Sequence, residues 1–195
     1  MAQPPRLVLA STSRYRRALL ERLGVAFSVA DPSVREDRRR GEAAEGMARR
    51  LAEAKARALA SRFPGSLIIG SDQVAVSDGE IFDKPLTHEN AARQLRALSD
   101  REALFHTAVC VHNTRDGSTT ARVVPCRVVF RRLDDRTIET YLAKERPYDC
   151  AGSAKSEGLG IALIAKMESE DPTALIGLPL IALVDLLREQ GLNVL

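Results

Sequence analysis

The sequence of 195 residues predicts an α/β protein, a mixed twisted sheet with flanking helices, organised as two lobes around a cleft. Two observations carry this expectation. Apolar runs of strand length alternate along the chain with segments whose apolar residues recur at helical spacing. Polar residues, Ser11 with Ser13 and later Asp72, follow directly on two of the apolar runs, and strand ends are where open α/β sheets form their clefts.

Leu7, Val8 and Leu9 read as the first buried strand, and Ala18, Leu19, Leu20 and Leu23 mark the core side of a helix that Gly24 terminates. The stretch "LASTSRYRRALLERLG", residues 9–24, therefore places Ser11 and Ser13 where a strand hands over to a helix. Backbone N–H groups at such a junction, with positive charge added by Arg14, Arg16 and Arg17, suit an anion such as a phosphate. The plainer reading makes Ser13 an N-cap and the arginines a solvated face. Val25 to Ala30 extends as a second strand, and Glu42 to Arg62 carries a helical pattern through Met47, Leu51, Ala54, Ala58 and Leu59 until Phe63-Pro64-Gly65 breaks it.

"LIIGSDQVAVSDGEIFDKP", Leu67 to Pro85, opens as an apolar strand, and Asp78-Gly79 supplies a turn between two extended segments. Thr87 caps a helix from His88 to Leu98. Two long strands follow, Ala103 to Asn113 and Thr119 to Arg131, joined through "TRDGS" as an extended hairpin whose alternation is incomplete around Pro125. Asp134 to Lys144 is a second capped helix. The glycine- and serine-rich "DCAGSAKSEGLG" leads to a strand at Ile161 to Ala165, and Leu180 to Gln190 forms the last helix.

Composition narrows the class of function. The 29 Lys+Arg against 26 Asp+Glu leave a formal +3, the arginines are spread over several segments, and aromatic residues make up only 4%. A continuous basic face interleaved with aromatics is thus not expected, and small phosphorylated ligands fit better than nucleic acid as the primary partner. No apolar run approaches the roughly 20 residues of a membrane span, and the short polar start lacks the pattern of a signal peptide. Cys110, Cys126 and Cys150 form an odd, widely spaced set without a CxxC pair. They are expected to be reduced and mostly buried, in a reducing, cytoplasmic compartment. "REDRRR", Arg35 to Arg40, reads as an exposed loop. His88, His106 and His112 do not have the spacing of a metal site, and His88 beside Thr87 belongs to the first turn of a helix.

The chemistry concentrates at strand ends. "GSDQ" sets Asp72 after Leu67-Ile68-Ile69, and Lys84 follows a turn that folds it back toward the same mouth. A carboxylate there coordinates Mg²⁺ or takes a proton from water, and a lysine neutralises phosphate. A cap or turn role is the bland alternative for Asp72. Hydroxyls, arginines, Asp72 and Lys84 together supply the parts for attack on a phosphoanhydride.

On these residues the chain resembles the Maf family of nucleoside triphosphate pyrophosphatases, and looks closest to its branch that acts on 7-methyl-GTP. The resemblance runs through "LASTSRYRRALLERL", "RLAEAKARALA", "LIIGSDQVAVSDGEIFDKPLT", "CAGSAKSEGLGIAL" and "DPTALIGLPLIAL", in order over nearly the whole chain. It implies a single Maf-like domain over 1–195 with the Maf/ITPase-like fold, its two lobes around a nucleotide-binding cleft. It also implies a cytoplasmic enzyme, a homodimer, that uses a divalent cation, Mg²⁺ or Mn²⁺, to cleave between the α and β phosphates of a modified nucleoside triphosphate. By the same resemblance Arg16 holds phosphate with Ser11 and Ser13, and Tyr15 occupies a position where that branch favours an aromatic residue. Glu36 and Asp72 attend the metal, Asp72 is the general base, and Lys84 belongs to the "KP" element. Gln73 and Glu157 set selectivity, with Ser153 and Lys155 as further candidates of the late loop. Arg14 stands where the family commonly has proline, and Arg35 where it commonly has aspartate. A preference for UTP or dTTP, and a nucleotide-binding regulatory protein without turnover, are the competing readings.

Overall fold

A computed structural model describes residues 5–195. The elements are β1 (Arg6–Ala10), α1 (Arg14–Glu21), β2 (Phe27–Ala30), α2 (Ala44–Arg57), β3 (Ser66–Ser77), β4 (Glu80–Phe82), α3 (His88–Leu98), β5 (Glu102–Asn113), β6 (Thr119–Phe130), α4 (Asp135–Glu145), β7 (Ile164–Ser169) and α5 (Leu180–Glu189). The chain divides into two compact units. The first comprises the chain up to Asp72, Thr107–Val124 and Asp171–Leu195, and the second Gln73–His106 and Pro125–Glu170. Among the described residues the strands run in the order β2-β1-β3-β5-β6-β7, with β4 paired to β3. The sheet is mixed, as expected: β1 is parallel to both β2 and β3, while β3–β4 and β6–β7 are antiparallel.

In the first unit, parallel neighbours require crossovers, and α1 and α2 supply them. With Leu7, Val8, Leu9 and Ala10 all buried, β1 reads as a continuous apolar run. Leu7, Leu9, Leu67 and Ile69 share a core with Leu19 and Leu20 of α1 and Leu183, Leu186 and Leu187 of α5. Over Gly70 the backbone of α2 comes so close that a Cβ there would lie 2.0 Å from the Ala52 carbonyl oxygen, so only glycine fits.

Three expectations shift here. Ala18 is exposed, and Leu19 and Leu20 carry the buried side of α1. The long helix is α2 followed by a separate 3₁₀ turn at Ala60–Arg62. Its buried stripe is Met47, Ala48, Leu51, Ala52, Lys55 and Ala56, whereas Ala58 is exposed and Ala54 half-buried. The helical repeat through Met47 and Leu51 continues to residue 55, and the lysine there is drawn inward. Asp72 lies within β3 rather than at its end. The last β1–β3 pair is Leu9↔Ile69, so Gly70 to Asp72 run on past the end of β1 while β3 itself continues to Ser77.

The second unit begins with the rest of β3 and its hairpin to β4, where Asp78 and Gly79 take φ of +49° and +81°, as a two-residue I′ turn needs. Thr87 accepts from the Asn90 N–H to cap α3, and Asp134 accepts from the Thr137 N–H to cap α4. α3 packs against α4 and the short turn Ala151–Ser153. The strand expected at Ile161 to Ala165 begins late, so that only Ile164 and Ala165 of it lie in β7. Leu159–Leu163 forms a 3₁₀ turn and β7 starts at Ile164, because pairing with β6 from Phe130↔Ile164 to Cys126↔Ser169 defines the strand despite its polar residues. Among the described residues no helix is long and apolar enough to cross a membrane.

Candidate active site

In the first unit, four side chains of alternating charge meet. Lys55, only 6% exposed, donates from Nζ to Asp72 Oδ1 and Glu36 Oε1, each at 2.6 Å. Asp72 is likewise 6% exposed, while Glu36 comes in from an exposed loop. Burial raises the Asp72 carboxyl above its ordinary range, against the opposing pull of Lys55 and Arg16. Burial lowers the Arg16 guanidinium while the charges of Asp72 and Glu36 hold it up, and it stays cationic.

Arg16 is placed from the opposite end of the sequence. Its Nε donates to the Gly177 carbonyl at 2.9 Å, and the Ser71 hydroxyl donates to the same oxygen at 2.9 Å. That carbonyl belongs to "DPTALIGLPLIAL", whose Asp171 is 2% exposed. Asp171 Oδ1 accepts from the Thr173 N–H and hydroxyl, and Oδ2 accepts from the Ile181 N–H at 2.7 Å. The Thr173 hydroxyl oxygen accepts from the Leu180 N–H at 2.8 Å. Pro179 has no side-chain acceptor for the start of α5, so Asp171 and Thr173 cap it from a distance.

Ser11 and Ser13 stand at the strand-to-helix junction. Ser11 Oγ accepts from the Ser13 N–H at 3.1 Å, and Ser13 Oγ caps α1 from the Arg16 N–H at 3.4 Å. The N-cap reading of Ser13 is thus realised. Tyr15 is half-buried, with the Arg14 guanidinium 4.8 Å from its ring centroid and donating to its hydroxyl at 2.7 Å.

The remaining candidates lie in the second unit. Gln73 follows Asp72 in β3, and Lys84 is exposed on the loop after β4. Gln94 ties that loop down: its Nε2 donates to the Asp83 carbonyl at 2.9 Å, and its Oε1 accepts from the buried Ser153 hydroxyl at 2.6 Å. Lys155 pairs with Glu145 at 2.6 Å, and Glu157 is exposed. His88, in the first turn of α3, bonds Tyr148 and Glu139.

Lys55 is the residue sequence reasoning missed. Its signal is a lysine on the i, i+4 stripe of Met47, Leu51 and Leu59, a charge where the pattern demands an apolar side chain, and such a charge is buried only with partners. Among the described residues, no group of three or more His, Cys, Asp or Glu side chains converges. Glu36 and Asp72 nonetheless bring two carboxylates to one place, each giving one oxygen to the Lys55 ammonium. Such a hard, oxygen-only pair fits Mg²⁺, which is commonly held by one or two carboxylates together with substrate phosphates and water. Cys110, Cys126 and Cys150 form no disulfide, and burial pushes the Cys110 thiol up to about 12 and that of Cys126 up to about 11, far from nucleophile chemistry.

A family model described as Maf-like protein matches residues 6–190. The chain is 58% identical over 191 residues to a 7-methyl-GTP pyrophosphatase of Methylobacillus flagellatus, covering 98% of this chain and 100% of that protein. It is 55% identical over 188 residues to a 7-methyl-GTP pyrophosphatase of Nitrosospira multiformis, covering 96% and 95%, and 50% identical over 192 residues to one of Nitrosococcus oceani, covering 98% and 96%.

Proposed function

The chain belongs to the Maf-like protein family, and from that premise we propose that it hydrolyses 7-methyl-GTP to 7-methyl-GMP and pyrophosphate. The carrying observation is the identity of 50% or more, over essentially the full length of both chains, to relatives named for that reaction. The buried Asp72–Lys55 pair supports it from the side of chemistry.

Asp72 orients the attacking water and takes its proton. The water oxygen bonds the α-phosphorus, and the bridging α–β oxygen leaves with pyrophosphate. A carboxyl raised by burial suits this role better than an ordinary surface aspartate. Lys55 holds Asp72 in place and balances its charge. In the first unit Arg16 neutralises phosphoryl oxygens, and Ser11 and Ser13 keep their hydroxyl protons to donate. In the second unit Lys84 adds charge stabilisation. A divalent cation, Mg²⁺ or Mn²⁺, would be held by Glu36 and Asp72 and supplies neutralisation of the phosphate charge.

Base selection rests on Tyr15, Gln73 and Glu157. The 7-methylguanine ring is cationic while N1 keeps its proton, so the face of Tyr15 attracts it. The Glu157 carboxylate accepts from N1–H and the exocyclic amine, with Gln73 helping to fix the ring. Uracil and thymine lack that donor pair. Ser153 and Lys155 support the late loop rather than the substrate directly, each being hydrogen-bonded within its unit. The reading extends to one Maf-like domain over 1–195, to a homodimer and to a cytoplasmic location.

The test is a side-by-side turnover screen of 7-methyl-GTP, GTP, UTP, dTTP and CTP with products identified. Preferred release of 7-methyl-GMP and pyrophosphate is the expected result. A preference for UTP or dTTP overturns the substrate, and saturable binding without turnover overturns the enzyme.

A further inference from the structure

The last residue of α4 is an acid, Glu145, at the helix end where the macrodipole disfavours negative charge. Its side chain is only 11% exposed. Both carboxylate oxygens are occupied: Oε1 accepts from Lys155 Nζ at 2.6 Å, and Oε2 accepts from the Leu159 backbone N–H at 2.8 Å. These partners hold the carboxyl below its ordinary range. They also stand two residues before and two residues after Glu157.

The loop is shaped around this carboxylate. A Cβ on Gly158 would come within 2.7 Å of Glu145 Oε2, and a Cβ on Gly160 within 2.4 Å of the Lys155 carbonyl oxygen. Each glycine of "KSEGLG" thus permits a close approach that closes the loop back on itself. The Lys155 N–H donates to the Tyr141 hydroxyl at 3.0 Å, which ties the same loop to α4 a second time. Glu157 remains exposed at the centre of the clamped span.

We infer that Glu145 is a positioning residue for base recognition: by clamping Lys155 and Leu159 it holds the loop backbone so that the Glu157 carboxylate is presented already ordered to the donor edge of the base. The inference rests on the reading of Glu157 as the base-selecting acid. Pre-ordering removes an entropy cost that binding would otherwise bear. The two donors sit on different oxygens of Glu145, and an amide in its place offers one acceptor oxygen and turns a donating NH₂ toward the other donor, so it weakens the clamp without emptying the space.

The experiment is a double-mutant cycle on the full-length protein with Glu145→Gln and Glu157→Gln, reading kcat/KM for 7-methyl-GTP and for UTP. Glu145→Gln is expected to lower the 7-methyl-GTP to UTP ratio by about tenfold, mainly through KM, and to lower it no further in the Glu157→Gln background. Glu145→Asp, which keeps the charge but withdraws it by one methylene, falls between and serves if the glutamine variant is unstable. An unchanged ratio, or a full independent effect in the Glu157→Gln background, overturns the positioning role. If the wild type prefers another triphosphate, the substrate reading fails by itself, and coupling of positions 145 and 157 measured on that triphosphate still decides this inference.

Discussion

Asp72 and Lys55 form an ion pair with 8% side-chain exposure on each partner, so removing Lys55 strands a buried carboxylate, whereas Lys55 keeps Glu36 when Asp72 is changed. Replacing Asp72 by asparagine preserves shape and takes away the proton acceptor. Turnover is expected to fall by about 10²- to 10⁴-fold, far more than nucleotide binding, as kcat and Kd measured on the same preparation will show. Lys55→Met leaves a buried carboxylate without its cation, and urea unfolding should register a loss of about 3 kcal/mol, the low end for a broken buried pair because Glu36 is half exposed. Unchanged stability would mean that the pair is not held closed in solution. At the base end, Tyr15→Ala is expected to erode discrimination between 7-methyl-GTP and GTP, and Glu157→Ala that between guanine and pyrimidine triphosphates. Equal kcat/KM ratios in variant and wild type would refute these assignments.

At the scale of elements, α5 depends on a cap that is not adjacent to it. Asp171→Ala removes the acceptor for the Ile181 N–H and for both donors of Thr173, and should cost about 1–3 kcal/mol of stability. Because the same segment carries the Gly177 carbonyl that holds Arg16, KM should rise as well, a change that a purely local cap would not produce. In the second unit, the lowered carboxyl of Glu145 makes the end of α4 sensitive to acid. A depressed pKa contributes stability that is fully present above the ordinary glutamate value of about 4.3 and is lost as pH falls through the lower folded value. Below about pH 4 the wild type should therefore lose stability more steeply than Glu145→Gln, which thermal unfolding against pH will reveal.

For the molecule as a whole, one family match spans both units, and β3, β5 and β6 each contribute residues to both. Burial of Cys110 and Cys126 predicts that an alkylating reagent labels Cys150 alone on the folded protein and all three thiols after unfolding, as intact-mass measurement will report. The alternation of elements, the caps at Thr87 and Asp134, the hairpin at Asp78-Gly79 and the family are legible in the chain, because periodicity, turn chemistry and ordered motifs are local properties of it. The sequence misleads where local pattern and pairing disagree: Ile161 is apolar but β7 begins where β6 offers backbone partners, and Asp72 follows an apolar run yet lies inside a longer strand. That Lys55 joins Asp72 from 17 residues away, and that Arg16 is held by a carbonyl 161 residues away, follows from the packing of distant elements. A helical stripe says that residue 55 is buried, but what awaits it on the facing strand is set by register and packing between elements, which no single segment encodes.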